Sequence, residues 1–102
     1  MAAKILQINF KFNVSKEDYE KAVSPLANDI AAVPGLRWKV WIMNAEEKEA
    51  GGILLFEDAS SLKAYTSGPI AEGILNHPAL SDFNVKVFDV MEEQSKVTRG
   101  IW

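Results

Sequence analysis

Among the titratable side chains of this sequence, only one is of a type whose ordinary pKa lies near neutral pH. His77 is the only histidine, and imidazole is the side chain that titrates closest to neutral pH, so it is the first candidate for a general acid or base. Its position directly before Pro78 fits equally a histidine that ends a helix, where the helix dipole favours a cation. Tyr65 is the second catalytic candidate through its hydroxyl, although a tyrosine packed in the core is the more common case.

The segment Trp38-Lys39-Val40-Trp41 is the most unusual stretch of the chain. Alternation along a strand places Trp38 and Trp41 on opposite faces, so one ring can line a cavity under helices and the other a sheet surface. Core filling explains either ring, because a large aromatic buries about 150–250 Å². A pocket for a planar ligand is the alternative. The candidate substrate-binding residues are Trp38, Phe10, Trp41 and Lys39.

Several classes of chemistry are excluded by what the sequence lacks. It has no cysteine, which excludes disulfides, thiolate metal sites and cysteine nucleophiles. It has no phosphate-binding glycine loop, nucleophile elbow or HExxH motif. The acidic stretch Glu46, Glu47 and Glu49 lacks metal-binding spacing and fits a solvated hairpin, so we predict no metal site.

Composition predicts a single globular domain over residues 1–102. Hydrophobic residues make up 48% of the chain and charged residues 25%, with a net charge of −3. Lysines and arginines are scattered among acidic residues, so nucleic-acid binding is not expected. Neither a signal peptide nor a run of about 18 apolar residues is present, so we expect a cytoplasmic protein without a membrane segment.

The elements that would position the candidate residues follow from hydrophobic periodicity. We predict strands over residues 4–12, 36–43, 53–56 and 83–90. A first helix begins after the cap Ser15, is kinked at Pro25 and ends at Pro34-Gly35. A second helix begins after Asp58, breaks at Gly68-Pro69 and stops at His77-Pro78.

This order, β-α-β-β-α-β, predicts an α+β ferredoxin-like fold, an antiparallel sheet with both helices on one face. The other face mixes apolar and polar side chains. A second copy packed against it would bury the apolar ones, so we expect a homodimer, with a solvated face as the alternative. The residues predicted on this face are Ile5, Gln7, Asn9, Lys11, Asn84, Lys86, Phe88 and Val90.

An ordered set of short motifs resembles the YdhR-like mono-oxygenase family. The resemblance covers residues 5 to 90 and rests on Pro34-Gly35-Leu36, Trp38-Lys39-Val40-Trp41, Glu49-Ala50-Gly51-Gly52-Ile53, Leu55-Phe56, Lys86-Val87-Phe88-Asp89-Val90 and Pro25-Leu26-Ala27. It implies a dimeric α+β barrel similar to antibiotic-biosynthesis mono-oxygenases and haem-degrading relatives. Cofactor-free members of that wider group oxidise electron-rich aromatics directly with O₂.

The resemblance implies a cofactor-independent mono-oxygenase acting on a small phenol- or quinol-like compound. Trp38 and Phe10 would hold the ring, and Tyr65 or His77 would bind or deprotonate the phenolic oxygen. A non-catalytic dimeric ligand-binding module is one alternative, and an isomerase or lyase on the same barrel is another. The tail over residues 91–102 has no clear period, and its end Gly100-Ile101-Trp102 either docks on the partner or frays.

Overall fold

The computed structural model of the protein describes residues 2–100. Every element of the predicted β-α-β-β-α-β order is present, and β3 and β4 begin earlier than the sequence predicts. Both helical connections are divided into two short helices, and the tail contains a further short helix. The elements are β1 (Lys4–Phe12), α1 (Lys16–Val23), α2 (Leu26–Ala31), β2 (Leu36–Asn44), β3 (Glu49–Phe56), α3 (Ala59–Thr66), α4 (Pro69–Leu75), β4 (Leu80–Asp89) and α5 (Glu92–Val97).

Local sequence signals explain where the helices begin and break. The side chain of Ser15 accepts a hydrogen bond from the backbone N–H of Asp18 at 3.1 Å and caps α1. The carboxylate of Asp58 accepts one from the N–H of Ser61 at 2.8 Å and caps α3. Pro25 lies between α1 and α2, because proline has no N–H to continue the helix. The predicted kink is confirmed.

The four strands form one antiparallel sheet in the order β2-β3-β1-β4. This is the ferredoxin-like arrangement that the element order predicts. Helices α1 to α4 pack against one face, where Leu6, Leu54 and Phe56 are buried under Leu62 and Tyr65 of α3. A second buried cluster lies under α1 and joins Phe10, Phe12, Tyr19 and Ala50.

A register shift in β2 decides which side chains meet the helices. Leu36 pairs with Phe56, but Trp38 pairs with Leu55, so Arg37 is an extra residue opposite β3. Leu36 therefore packs under the helices with Phe56. Trp38, two residues later, packs on the opposite face with Leu55.

The sheet face away from α1 to α4 is called the open face below. Its cross-strand pairs Ile5–Phe88, Gln7–Lys86 and Asn9–Asn84 are the mixture of apolar and polar residues that the sequence predicts. Val40 and Phe88 on this face are 51% and 45% exposed. Such exposure is costly for large apolar side chains when they are contiguous.

The tail after β4 differs from its aperiodic sequence pattern, because residues Glu92–Val97 form the short helix α5. The carboxylate of Glu92 accepts a hydrogen bond from the N–H of Ala3 at 3.4 Å. The prediction that Trp102 docks on a partner concerns a residue outside the described range. None of the helices within residues 2–100 has the length and apolar character needed to cross a bilayer.

Candidate active site

A cavity lies between the sheet and the helices, on the face opposite the open face. Its volume is about 80 Å³. On the same measure a single water molecule needs about 10–15 Å³. The lining is almost wholly apolar or aromatic. Its floor comes from all four strands of the sheet, and its walls from α1 to α4. The lining includes Leu6, Ile8, Phe10, Tyr19, Val23, Lys39, Trp41, Tyr65, Ile74 and Val85.

Lys39 is the one charged side chain among the described residues that line this cavity. Its ammonium nitrogen lies 3.6 Å from the centroid of the Trp41 ring, a cation–π contact. Within residues 2–100, no carboxylate forms an ion pair with it and no acceptor bonds to it. Burial away from water lowers the pKa of Lys39 from 10.5 to about 8.

The side chain of Lys39 can lie flat over β3 because residue 52 is glycine. A Cβ atom at Gly52 would lie 2.6 Å from Cε and 3.4 Å from Nζ of Lys39. Any larger residue would therefore displace the amine. Gly51 has a different role, since a Cβ there would lie 1.9 Å from the backbone oxygen of Ile8 and would separate β3 from β1.

Two buried tyrosines, Tyr19 and Tyr65, also line the cavity. Tyr65 lies 5.6 Å from Phe56 between ring centroids, and Tyr19 stacks on Phe12 at 4.9 Å. Burial raises the pKa of both phenols, so they stay protonated near neutral pH. Among the residues described, neither hydroxyl has a protein hydrogen-bond partner. Each can therefore donate to a ligand in the cavity.

The structure brings together four of the six predicted site residues, Phe10, Lys39, Trp41 and Tyr65. It does not bring Trp38 to them. The expectation that Trp38 holds a ligand ring under the helices is corrected, because the extra residue Arg37 turns Trp38 toward Ala3 and Leu55 on the open face.

His77 also lies outside this cavity. It is exposed after the end of α4, and its Nδ1 accepts a hydrogen bond from the N–H of Ala79 at 3.1 Å. It borders a second cavity of about 380 Å³ between α1, α2 and α4, which shares the walls Tyr19 and Val23 with the first. This placement agrees with the interpretation of His77 as a residue at a helix end.

Sequence reasoning did not select Tyr19 or Gly52. Tyr19 begins the apolar stripe of α1, so the helical period indicates that it faces the sheet. Its closeness to Phe10, at 6.1 Å between ring centroids, depends on tertiary packing. Gly52 makes room for the Lys39 side chain. This role becomes visible only when the structure shows that Gly52 pairs with Trp41 and that Lys39 passes over it.

These features define a class of protein with a ferredoxin-like sheet, helices on one face and an aromatic cavity between the layers. The chain belongs to the family described as "Putative mono-oxygenase ydhR", which matches residues 5–101. The resemblance drawn from the short motifs is therefore confirmed. Among curated proteins, none is similar enough to the chain to count as a match.

Solved structures of the same fold extend the comparison. Protein SO0527 from Shewanella oneidensis has 12% identity and a TM-score of 0.74, over 87% of this chain and 91% of its own. SnoaB, a cofactor-independent oxygenase from Streptomyces nogalater, has 14% identity and a TM-score of 0.72, over 88% and 94%. A dimeric ferredoxin-like protein of unknown function from Thermobifida fusca YX has 20% identity and a TM-score of 0.67, over 88% and 93%. At these identities the likeness establishes the fold.

Proposed function

We propose that this protein is a cofactor-independent mono-oxygenase that binds a small phenol- or quinol-like compound in the cavity of Lys39. The observation that carries the proposal is an ammonium group without a carboxylate partner in the described residues, placed among aromatic walls. A ligand with an aromatic ring and an ionised oxygen complements both features. Membership of the mono-oxygenase family and the likeness to SnoaB support the same conclusion.

Binding would replace the contact between Lys39 and the ring of Trp41. The ammonium would turn toward the phenolate oxygen, and a charge-assisted hydrogen bond would replace the weaker cation–π contact. The phenol of Tyr65, buried and protonated, can donate a second hydrogen bond. Phe10 and Trp41 would pack against the ligand ring.

The proposed chemistry needs no group beyond the substrate and O₂. A phenol with a free para carbon reacts with O₂ to give the quinone and water. One oxygen atom forms the new carbonyl, and the other leaves as water with the two displaced hydrogens. The substrate supplies all four electrons, and its ionised form gives the first one to O₂ most readily.

The protein would contribute ionisation and exclusion of water. The neutral amine of Lys39 can take the phenolic proton, which leaves an ammonium beside a phenolate. Its pKa of about 8 is close to physiological pH, which is where a general base is most effective. The apolar walls would strengthen the resulting ion pair, because an apolar surrounding screens charges less than water does.

Oxygen uptake with a broad panel of phenols and quinols tests this proposal directly. We expect uptake with at least one compound, and a loss of about a hundredfold or more in Lys39→Met, in line with the usual worth of a general base. Lys63→Met is the matched control, since Lys63 is an exposed lysine on α3. Absence of uptake across the panel, or full activity of Lys39→Met, would contradict the proposal.

The same panel separates the alternatives. A non-catalytic binding module would show a rise in Tm with a ligand and no oxygen uptake or product. An isomerase or lyase would convert its substrate equally well under argon. The pocket and Lys39 would serve either alternative, so the measurement of oxygen decides between the three.

We also infer that two copies of the chain pair through the open face. The exposed Val40 and Phe88 would be buried there, and the similar Thermobifida fusca protein is described as dimeric. Pairing would close two sheets into one barrel and leave each cavity on its outer, helix-covered side. A cytoplasmic location stays a prediction.

A further inference from the structure

We propose that the side-chain amine of Lys39 captures small aromatic aldehydes as an imine inside the cavity between the sheet and the helices. This would be a second use of the cavity, a reversible covalent site for a carbonyl compound. It does not depend on oxygenase activity.

The first support is the freedom of the amine. Within residues 2–100 the nitrogen of Lys39 has no hydrogen-bond or ion-pair partner and lies 3.6 Å from the centroid of the Trp41 ring. By contrast, Lys4 pairs with Asp89, and the nitrogen of Lys11 donates to the backbone oxygen of Glu47 at 3.0 Å. An amine held by an acceptor must break that bond before it can attack a carbonyl carbon. Lys39 has no such bond to break.

The second support is the fraction of Lys39 that is unprotonated. Only the neutral amine is a nucleophile. Burial lowers the pKa of Lys39 to about 8, so roughly a quarter of the side chains are neutral at about pH 7.5. An exposed lysine with an ordinary pKa is neutral in about one molecule in a thousand. The advantage in free amine is about two hundredfold.

The third support is the character of the walls. An imine hydrolyses when water reaches it, and the lining of this cavity is nearly all apolar. The rings of Phe10, Trp41 and Tyr65 favour an aldehyde that carries an aromatic ring. Tyr65 lines the same space, and its protonated hydroxyl would donate a hydrogen bond to a carbonyl oxygen within its reach.

The reaction balances without an oxidant or reductant. The lone pair of the amine nitrogen forms a bond to the carbonyl carbon, and the carbonyl π electrons move to oxygen, which takes a proton. The resulting carbinolamine then loses its oxygen as water. Both hydrogens of the amine leave with that water, and a C=N bond joins Lys39 to the former aldehyde carbon.

Reductive trapping tests the proposal on the full-length protein. Benzaldehyde and cyanoborohydride are added under argon at pH 7.5, and the hydride converts any imine into a stable benzylamine. Trypsin does not cleave after a benzylated lysine, so modification of Lys39 appears as the peptide 38–48. We expect Lys39 to be labelled at least tenfold faster than the exposed Lys63, and to be labelled more selectively by benzaldehyde than by propanal.

Four outcomes decide the result. Equal labelling of Lys39 and Lys63 would overturn the proposal, and equal selectivity with propanal would overturn the preference for aromatic aldehydes. Peptide mapping separates Lys39 from the α-amino group of the purified chain, which is also reactive near neutral pH. The trapping experiment runs under argon, so its result is independent of the phenol assay. If Lys39 is labelled but the phenol assay shows no oxygen uptake, this inference is supported and the proposed oxygenase function is contradicted. If oxygen uptake depends on Lys39 but Lys39 is not labelled by benzaldehyde, the oxygenase function is supported and this inference is contradicted.

Discussion

At the scale of single residues, the molecule places a cation where the fold alone would favour an apolar side chain. Lys39 projects over Gly52 into an aromatic cavity and has only the Trp41 ring as a neighbour of complementary charge. A cation–π contact contributes about 0.5–2 kcal/mol, which compensates only part of the cost of removing an ammonium from water. The remaining cost is typical of a functional group, and the proposed ligand would recover it by supplying an anion.

Replacing Lys39 with Met should make the folded protein more stable at pH 7. Methionine keeps the length of the side chain without its charge, and the depressed pKa corresponds to about 1–3 kcal/mol of lost stability in the wild type. Urea denaturation of both proteins measures the difference. Lys63→Met, an exposed control, should change the free energy of unfolding by less than about 0.5 kcal/mol.

The advantage of the Met variant should shrink as pH rises. The pKa of Lys39 is about 8 in the folded state and 10.5 as an ordinary value. Between these values the unfolded chain binds more protons, so the stability of the wild type rises with pH relative to the variant. Denaturation at pH 7 and at pH 9.5 measures this change. A difference between the two proteins that does not vary with pH would contradict the buried position of the cation.

If Lys39 acts as a base toward a phenol, its protonation should govern the rate. We expect kcat/KM to rise with pH and level off above about pH 8, because the neutral amine then predominates. Lys39→Arg keeps the positive charge but cannot deprotonate. Its pH profile should be flat and low. If the Lys39→Arg variant keeps the wild-type rise of kcat/KM with pH, that rise belongs to the titration of another group.

At the scale of elements, strand β3 is the part of the sheet that fixes both the fold and the cavity. It lies between β1 and β2, and its two adjacent glycines face opposite sides. Gly51 allows the close approach of β1, and Gly52 leaves the space that the amine of Lys39 occupies. Of these two neighbouring glycines, one thus permits the pairing of the strands and the other the position of the Lys39 side chain.

Alanine substitutions at these glycines should separate the two roles. Gly51→Ala places a methyl group 1.9 Å from the backbone oxygen of Ile8, so we expect a loss of about 2 kcal/mol or more in the free energy of unfolding. Gly52→Ala meets mainly the flexible end of Lys39. It should lower stability by less than about 1 kcal/mol but shift the pKa of Lys39 and slow its labelling by benzaldehyde. Similar losses of stability in both variants would contradict this division.

The elements show which parts of the architecture the sequence could predict. Caps, prolines and apolar stripes act locally, so the order of strands and helices and the break at Pro25 were predictable. The face on which Trp38 lies was not, because the shift at Arg37 depends on pairing with β3. The start of β3 could not be predicted, because Glu49 and the glycines that follow Ala50 are poor strand formers. They are part of the strand because they pair with β1.

The candidate site was predictable to a similar degree. Four candidates could be selected from their residue types, and their positions on strands and helices allowed them to line one cavity. These are Phe10, Tyr65, Lys39 and Trp41. The isolation of Lys39 from every carboxylate of the described chain could not be derived from sequence. It depends on where Glu and Asp side chains lie in three dimensions.

At the scale of the whole molecule, the two faces of the sheet differ in what covers them. The helix-covered face encloses the cavity, and the open face presents Val40 and Phe88. Apolar residues exposed on an extended sheet surface favour association. Pairing of two copies would therefore stabilise the layer that forms the floor of each cavity.

Charge substitutions on the two faces of β4 test this pairing. Phe88→Glu places a carboxylate on the open face, and we expect it to convert the dimer to a monomer of 11.3 kDa in sedimentation at micromolar concentration. Val87→Glu is the matched control on the same strand, since Val87 is 54% exposed on the other face. A wild-type protein that sediments as a single chain would refute the dimer.

The extra residue at Arg37 has an evolutionary consequence. Trp38 and Trp41 occupy the two sides of one strand, and the register shift assigns one ring to the open face and the other to the cavity. A descendant that lost Arg37 would join Leu36 directly to Trp38, and the two residues would keep their partners Phe56 and Leu55, so both tryptophan rings would stay on their present faces. A deletion at this position would therefore make the edge of the sheet regular and leave the lining of the cavity unchanged.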